Sequence, residues 1–433
     1  MEQNQEKFKN FISSQNLKAF LIGILILFLL IPGEMIKQII QERKLLNTET
    51  ENEIQKTWGK NQVVGGPILI LPYTRLATAE GKVSRVKSNL TILPESLNIS
   101  GQVTPEFRYR GIYKVVVYHS NLEMSGQFPD LKNILPQVSP EDICWNEMRL
   151  EMGISDLRGI QSNIQLRWDQ NIYATAPGTT GKVPFTNGIS APIKYNEKDL
   201  GIPHNFSIKL NLSGSKELTF LPVGKITRVS LASTWKTPKF TGAFLPKHRQ
   251  ISKNGFKAEW QVLHFNRNYP QEWLNRKYEL SSSAFGVNFL VPVDRYQKSM
   301  RSVKYAILFF TLTFTMFFFV EILSQKKLAI IQYFMVGLSL LVFYILLLSL
   351  SEHIGFLGAY LIASAAIVLQ ITLFVNLVFH TTKTTLLTAS ILATLYGMLF
   401  ILLQLQDYAL LIGSIGLFII LGVIMFLSRN LKL

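Results

Sequence analysis

VKYAILFFTLTFTMFFFVEIL (Val303–Leu323) and LAIIQYFMVGLSLLVFYILLLSL (Leu328–Leu350) open the stretch, Val303–Leu427, around which the rest of the chain is organised. Three more apolar runs follow: Phe356–Phe379, Thr385–Leu403 and Tyr408–Leu427. Each holds roughly 20 residues, enough at ~1.5 Å per residue to span a hydrocarbon core about 30 Å thick. A sixth run, Leu17–Ile31, lies near the N-terminus. The expectation is an α-helical membrane protein with six transmembrane helices and a large water-facing segment between the first and the second. In numbers, 1–16 is a tail, 17–33 a signal anchor, 34–302 the water-facing domain, 303–427 a five-helix bundle and 428–433 a second tail.

Charge sets the direction of threading. Lys7, Lys9 and Lys18 stand at the start, and no small-x-small cleavage site follows the first run, which continues as Pro32-Gly33-Glu34-Met35. That pattern reads as an uncleaved anchor, kinked or ended by Pro32 and Gly33. Beyond it Met35, Ile36, Ile39 and Ile40 keep helical spacing and predict an amphipathic stem. The turns Ser324–Lys327 and His380–Thr384 and the C-terminal tail carry Lys326, Lys327, Lys383, Arg429 and Lys432. The alternate turns, Ser351–Gly355 and Gln404–Asp407, carry no Lys or Arg but hold Glu352 and Asp407. Cationic loops stay in the cytoplasm, so both termini are expected there. The large domain is then periplasmic, beyond a bacterial inner membrane. Arg295, Lys298, Arg301 and Lys304 run against this pattern, as cations at the end of a long translocated domain can.

The chain has 433 residues with 44 Lys+Arg against 28 Asp+Glu, and most of the excess lies in the middle segment. A basic domain beside a membrane is attracted to anionic lipid or acidic envelope polymers; the same charge also serves plain solubility. A domain outside the cytoplasm excludes nucleic acid as a partner. Cys144 is the single cysteine, so no intramolecular disulfide forms, and beside Trp145 it reads as a small core group rather than a nucleophile.

The middle segment reads as β. Phe206, Ile208, Leu210 and Leu212 alternate with polar residues, and Ile112–His119 is apolar and β-branched. Ile68–Tyr73, Val83–Leu93, Ile164–Trp168, Ile226–Ala232, Lys257–His264 and Phe285–Val293 are further candidates, punctuated by Gly65-Gly66-Pro67, Pro177-Gly178, Asn187-Gly188 and Asn254-Gly255. Many short strands with such turns predict an antiparallel, sandwich-like fold. Asp130–Cys144, with Pro136 and Pro140, reads as a long loop, and Val291-Pro292-Val293 as a tight junction to the membrane. In the bundle, Gly355, Ala359 and Ala363, Ala393 and Gly397, and Ala409 and Gly413 recur four apart, a spacing that lets helices approach closely.

Chemical motifs are scarce. The six histidines form no His-Glu-x-x-His pattern and there is no CxxC pair, so no metal or cofactor is expected. There is no Gly-x-Ser-x-Gly elbow, P-loop or Gly-x-Gly-x-x-Gly. Three polar residues are the candidate functional groups: Glu321 inside the second span, and Glu352 with His353 in an outer turn. An intramembrane acid marks function by default, but Glu321 stands near Lys326 and Lys327, which predicts a neutralising contact. Glu352 and His353 are a candidate proton-responsive pair or, more plainly, a polar turn.

Several segments together resemble the CreD family of bacterial inner-membrane proteins. They are Val64–Pro72 (VGGPILILP), Gly111–Asn121 (GIYKVVVYHSN), Asp156–Ile160 (DLRGI), Phe240–Pro246 (FTGAFLP), Gly255–Trp260 (GFKAEW), Val293–Phe310 and Gly337–Phe356. Some members carry a longer tail than the one after Leu427. The resemblance implies a part in envelope integrity and stress response, with colicin tolerance and β-lactam responses in some members, and brings no catalytic residues with it. The leading expectation is a non-enzymatic protein whose partners are membrane lipids, envelope proteins or peptidoglycan precursors. A transporter built on the spans is the alternative. A periplasmic hydrolase using His119 with Ser120 is disfavoured, because adjacent strand residues face opposite ways.

Overall fold

The computed structural model describes residues 15–79, 82–133, 138–180, 185–195, 200–274, 278–289, 295–324, 326–405 and 408–428. Lys7, Lys9, Pro136, Val291-Pro292-Val293, Asp407, Arg429 and Lys432 lie outside them. The chain forms two compact units, Glu49–Pro292 and Met1–Thr48 with Val293–Leu433. The boundaries read from sequence at 34 and 302 fall inside helices.

The first unit is built from β1 (Gln62–Ala79), β2 (Lys82–Ile92), β3 (Ser96–Arg110), β4 (Tyr113–Phe128), β5 (Arg149–Ile154), β6 (Gln165–Trp168), β7 (Asn171–Ala174), β8 (Ala176–Pro177), β9 (Gly188–Pro192), β10 (His204–Ser215), β11 (Glu217–Phe220), β12 (Ile226–Ser233), β13 (Pro238–Gly242), β14 (His248–Ser252), β15 (Gly255–Leu263), β16 (Glu272–Leu274) and β17 (Phe285–Phe289). One sheet runs β13-β17-β11-β1-β5-β9-β8, with β2 on β1 and β16 on β2; the other runs β14-β15-β12-β3-β4-β10-β6-β7. The two share one core. Tyr118 of one sheet meets Phe289 of the other at 5.1 Å, and Trp260 meets Phe240 at 5.6 Å and Phe285 at 6.0 Å between ring centroids. Burial of each such side chain contributes about 2 kcal/mol.

The period-two reading of β10 holds: Phe206, Ile208, Leu210 and Leu212 are buried, and the residues between them are exposed. Two expectations are corrected. The sandwich is mixed, because β1 lies parallel to β11 and β12 parallel to β3. A long crossover returns each strand in the same direction, which local pattern does not reveal. Gly65-Gly66-Pro67 does not separate strands but sits within β1, where the register against β5 shifts between Gly65 and Ile68. The bulge absorbs a proline that cannot donate to a ladder.

The helical unit holds α1 (Gln15–Trp58, its last turns in the β unit), α2 (Arg295–Lys304), α3 (Ala306–Ser324), α4 (Ile330–Phe379), α5 (Thr382–Gln404) and α6 (Ala409–Ser428). α1 runs through Pro32 and continues as the expected stem rather than ending there. Ile22, Leu25, Leu29, Ile36 and Ile40 form one buried stripe on both sides of the proline, and this packing offsets the roughly 3 kcal/mol that an interior proline costs. Gly337 admits α1 closely: a Cβ there would lie 2.3 Å from Leu29 Cδ1.

The expected span from Val303 is bent by 47° between α2 and α3. The 50-residue α4 is two arms. Gly355 has φ 78° and ψ 164°, and the Phe343 and Tyr360 rings meet at 5.5 Å, whereas a straight helix would hold them about 25 Å apart. The chain therefore reverses at Gly355, at a positive φ that glycine tolerates. By length and composition three helices among the described residues can cross a membrane, or four with the bent pair, and α6 holds a shorter apolar stretch, Ala409–Gly422. Of the small residues four apart, Ala359 and Ala363 are buried, while Ala393 and Gly397 are exposed.

Candidate functional site

Glu321, on the last turn of α3, is buried at 8% exposure. Its carboxylate is paired with Lys18 Nζ from α1, and Tyr333 Oη donates to its Oε2 at 2.9 Å. Lys18 also donates to Leu328 O and lies 5.7 Å from the Tyr333 ring centre. The neutralising contact thus exists, but its cation is Lys18 and not Lys326 or Lys327. Lys326 instead donates to Phe379 O at 2.7 Å, at the carbonyl end of α4, where a cation is favoured. The sequence held a signal for the pairing: Lys18 is the one cation in the first apolar run, and Glu321 the one acid in the second.

Glu352 belongs to a different cluster. Tyr333 and Glu352 sit on one arm of α4, about 28 Å apart at helical rise. Tyr296 Oη donates to Glu352 Oε1 at 3.0 Å, and Arg295 Nη1 donates to Glu352 O at 2.9 Å. Further along α2, Lys298 Nζ donates to Gln404 Oε1 at 2.6 Å and Arg301 Nη2 to Leu402 O at 3.2 Å. Arg295 and Arg301 of α2 therefore cap the carbonyl ends of α4's first arm and of α5, where helix dipoles are negative, and Lys298 is held by the side chain of Gln404 at the end of α5. This accounts for Arg295, Lys298 and Arg301 among the cations that run against the charge pattern. His353 is exposed and, unlike Glu352, takes no part in the cluster, so the structure does not join the two as a pair.

In the β unit, Gln62 is fully buried. Its Nε2 donates to Asp156 O and Ser213 O, each at 3.0 Å, and its Oε1 accepts from Asp156 N at 3.2 Å. The Asp156 carboxylate accepts from Arg158 Nε at 2.9 Å, Arg158 Nη2 at 2.7 Å and Lys60 N at 3.1 Å. The Arg158 guanidinium holds this carboxyl down at about 2. Nearby, His119 Nδ1 and Ser213 Oγ are 2.8 Å apart, with Trp58 edge-on to the imidazole at 5.2 Å. The serine beside His119 in space is therefore Ser213; Ser120 points away and donates to Leu212 O at 2.8 Å. Ser213 Oγ lies in a fully buried residue, packed against Gln62 and Gly159. Cys144 is partly buried, with Thr74 Oγ1 at 4.0 Å from its sulfur. Among the described residues no group of three or more His, Cys, Asp or Glu is placed to hold a metal ion.

Apolar helices long enough to cross a bilayer, joined to a mixed β-sandwich with its own core, define a membrane protein carrying a large β domain. Residues 14–433 match the family described as Inner membrane protein CreD. The Inner membrane protein CreD of Escherichia coli (strain K12) is 34% identical over 415 residues, covering 94% of this chain and 91% of that protein. The chain belongs to the CreD family of inner membrane proteins. Among solved structures, an M1 zinc metallopeptidase from Deinococcus radiodurans matches 40% of this chain and 38% of its own at 8% identity and TM-score 0.17. A mutant of an M1 zinc metallopeptidase from that organism with a Tyr-Ser-Ala substrate matches 39% of each chain at 8% identity and TM-score 0.18. Likenesses this slight support nothing about fold or chemistry.

Proposed function

We propose that this chain is a non-enzymatic envelope-maintenance protein that crosses the bacterial inner membrane six times. Both termini lie in the cytoplasm, and the β unit lies in the periplasm, where it contacts lipid or other envelope components. The six crossings are α1, the α2–α3 pair, the two arms of α4, α5 and α6. The reversal at Gly355 supports counting α4 twice.

The observation that carries this reading is where the helical unit keeps its charges. Those it buries, Glu321 and Lys298, sit in the Lys18–Glu321 cluster and in the α2 cluster with Arg295 and Glu352, each with a hydrogen-bond or ionic partner. Between the clusters lie Phe310, Phe314, Phe343, Tyr344 and Tyr360, all fully buried. Such an interior suits a rigid anchor and disfavours a path for ions, which needs polar or ionisable groups along its length. The contact surface then belongs to the β unit.

Cys144, the single cysteine, provides the test of topology. A membrane-impermeant maleimide should label it in spheroplasts without permeabilisation, as it should Ser252→Cys on exposed β14. Labelling of both only after permeabilisation would overturn the orientation. Loss of the gene should raise leakage of periplasmic protein, and the full chain should restore retention. Flux of a charged solute through reconstituted protein, abolished by Glu321→Ala, would instead establish transport.

A further inference from the structure

The outer face of the eight-stranded sheet carries two unbroken rows of polar side chains in register. The first is Ser207, Ser125, Asn98, Arg228 and Gln261, each the cross-strand partner of the next on β10, β4, β3, β12 and β15. The second is Lys209, Glu123, Ser100, Ser230 and Glu259, ending on His248 of β14. With strands ~4.8 Å apart, six of them make a row about 24 Å long. The residues between the rows in sequence, Ile99, Met124, Ile208, Val229 and Trp260, point the other way into the core. The period of two therefore puts these apolar residues in the core and the two polar rows on the outer face.

Lys247 and His248 close one end of this face, which forms a trough of about 610 Å³. That volume suits a ligand of several rings, within the roughly 300–1,000 Å³ of small-molecule sites. Its charges are unevenly used. Lys209 pairs with Glu123 at 3.2 Å and Lys257 with Glu259 at 3.1 Å. Arg228, exposed between Asn98 and Gln261 in the first row, has no side-chain partner among the described residues. No exposed large hydrophobic residue lines the trough.

We propose that this trough binds a linear, hydroxyl-rich glycan lying across the strands, with an acidic substituent of the glycan seated on Arg228. Each strand offers a donor or acceptor at the spacing of the ladder, so an extended polymer meets one polar group after another. The guanidinium supplies the charge-assisted fork that carboxylates fit. A lipid is disfavoured because no exposed large hydrophobic side chain lines the trough for acyl chains, and a single-stranded nucleic acid because no Phe, Tyr or Trp ring is exposed there for stacking. The proposal names the ligand class of the envelope contact above and rests on that reading.

The test uses the full chain in nanodiscs of neutral lipid. Titrations would use a uronic-acid hexamer, a neutral hexamer of the same linkage and, separately, phosphatidylglycerol vesicles. The acidic hexamer should bind saturably and more tightly than the neutral one. Arg228→Gln should weaken the acidic hexamer about tenfold, as expected for a lost charge-assisted bond, and leave the neutral hexamer unchanged. Ser125→Trp, which fills the middle of the exposed face, should abolish both while the thermal transition of the β unit stays in place. No binding of either hexamer, equal affinities in Arg228→Gln and the parent, or binding confined to the anionic vesicles would each overturn the proposal. Maleimide labelling of Cys144 is read independently, so failure of the glycan site and failure of the periplasmic assignment are distinguishable.

Discussion

Asp156→Asn tests how the end of the stem helix is fastened to the sandwich. In the folded chain this carboxyl titrates near 2 against an ordinary 3.8, a difference equivalent to about 2.4 kcal/mol. The Arg158 side chain that causes most of it is 51% exposed, so solvent screening cuts the usable part to about 1 kcal/mol. The sign follows from the direction. A lowered folded-state value means that the ionised form is favoured in the fold. The stabilisation is complete above pH ~4 and is lost as pH falls through about 2. The assay is urea unfolding of the full chain in detergent, followed by tryptophan fluorescence. All six tryptophans, from Trp58 to Trp273, lie in the β unit, so the signal reports that unit alone. At pH 7 Asp156→Asn should unfold about 1 kcal/mol more easily, and the gap should close as pH approaches 2. A gap of equal size at pH 7 and pH 2.5 would refute the account, because the loss would then not depend on the carboxylate charge.

Lys18→Met should destabilise the helical unit by roughly 3 kcal/mol by leaving Glu321 buried and unpaired, and Lys18→Met with Glu321→Met should recover much of it. Thermal stability in detergent, read by size-exclusion chromatography, checks both. Gly126→Ala should cost the β unit about 3 kcal/mol or prevent folding, since a Cβ there would lie 1.9 Å from Ser96 O and 2.8 Å from the Phe206 ring. Trp260→Ala should cost about 4 kcal/mol by opening a cavity where the two sheets meet, seen as a lower urea midpoint. Gly355→Ala should destabilise the reversal in α4 by about 2 kcal/mol, because its Cβ meets open space but φ 78° with ψ 164° is a region essentially confined to glycine; the variant should lose thermal stability while urea unfolding of the β unit stays unchanged.

Much of the candidate chemistry was legible as residue types and not as pairs. Glu321 stood out because a carboxylate among phenylalanines is costly, and the need for a cation was readable from that alone. Which cation answers was not, because Lys18 lies 303 positions away in sequence and only the packing of α1 against α3 and α4 brings it near. The same holds for His119. Strand alternation excluded Ser120, while the pairing of β4 with β10 puts Ser213 opposite His119. Glu352 and His353 are neighbours in the chain but take different surroundings, since Tyr296 of α2 reaches only the first.

What the sequence determined by itself was periodic. Apolar runs of bilayer length, alternation at two in the strands and the alternation of lysine-bearing with lysine-free turns are each written within a few dozen residues, so a membrane bundle and a β domain could be read directly. The tertiary structure decided what depends on contacts between distant segments. These are the parallel pairings of β1 with β11 and β3 with β12, the passage of α1 through Pro32, the use of α2's cations on helix ends, and the register that aligns polar side chains across six strands. The physical reason is that a side chain's periodicity fixes which face it occupies, whereas its partner is fixed only when chain closure and packing select one register among many.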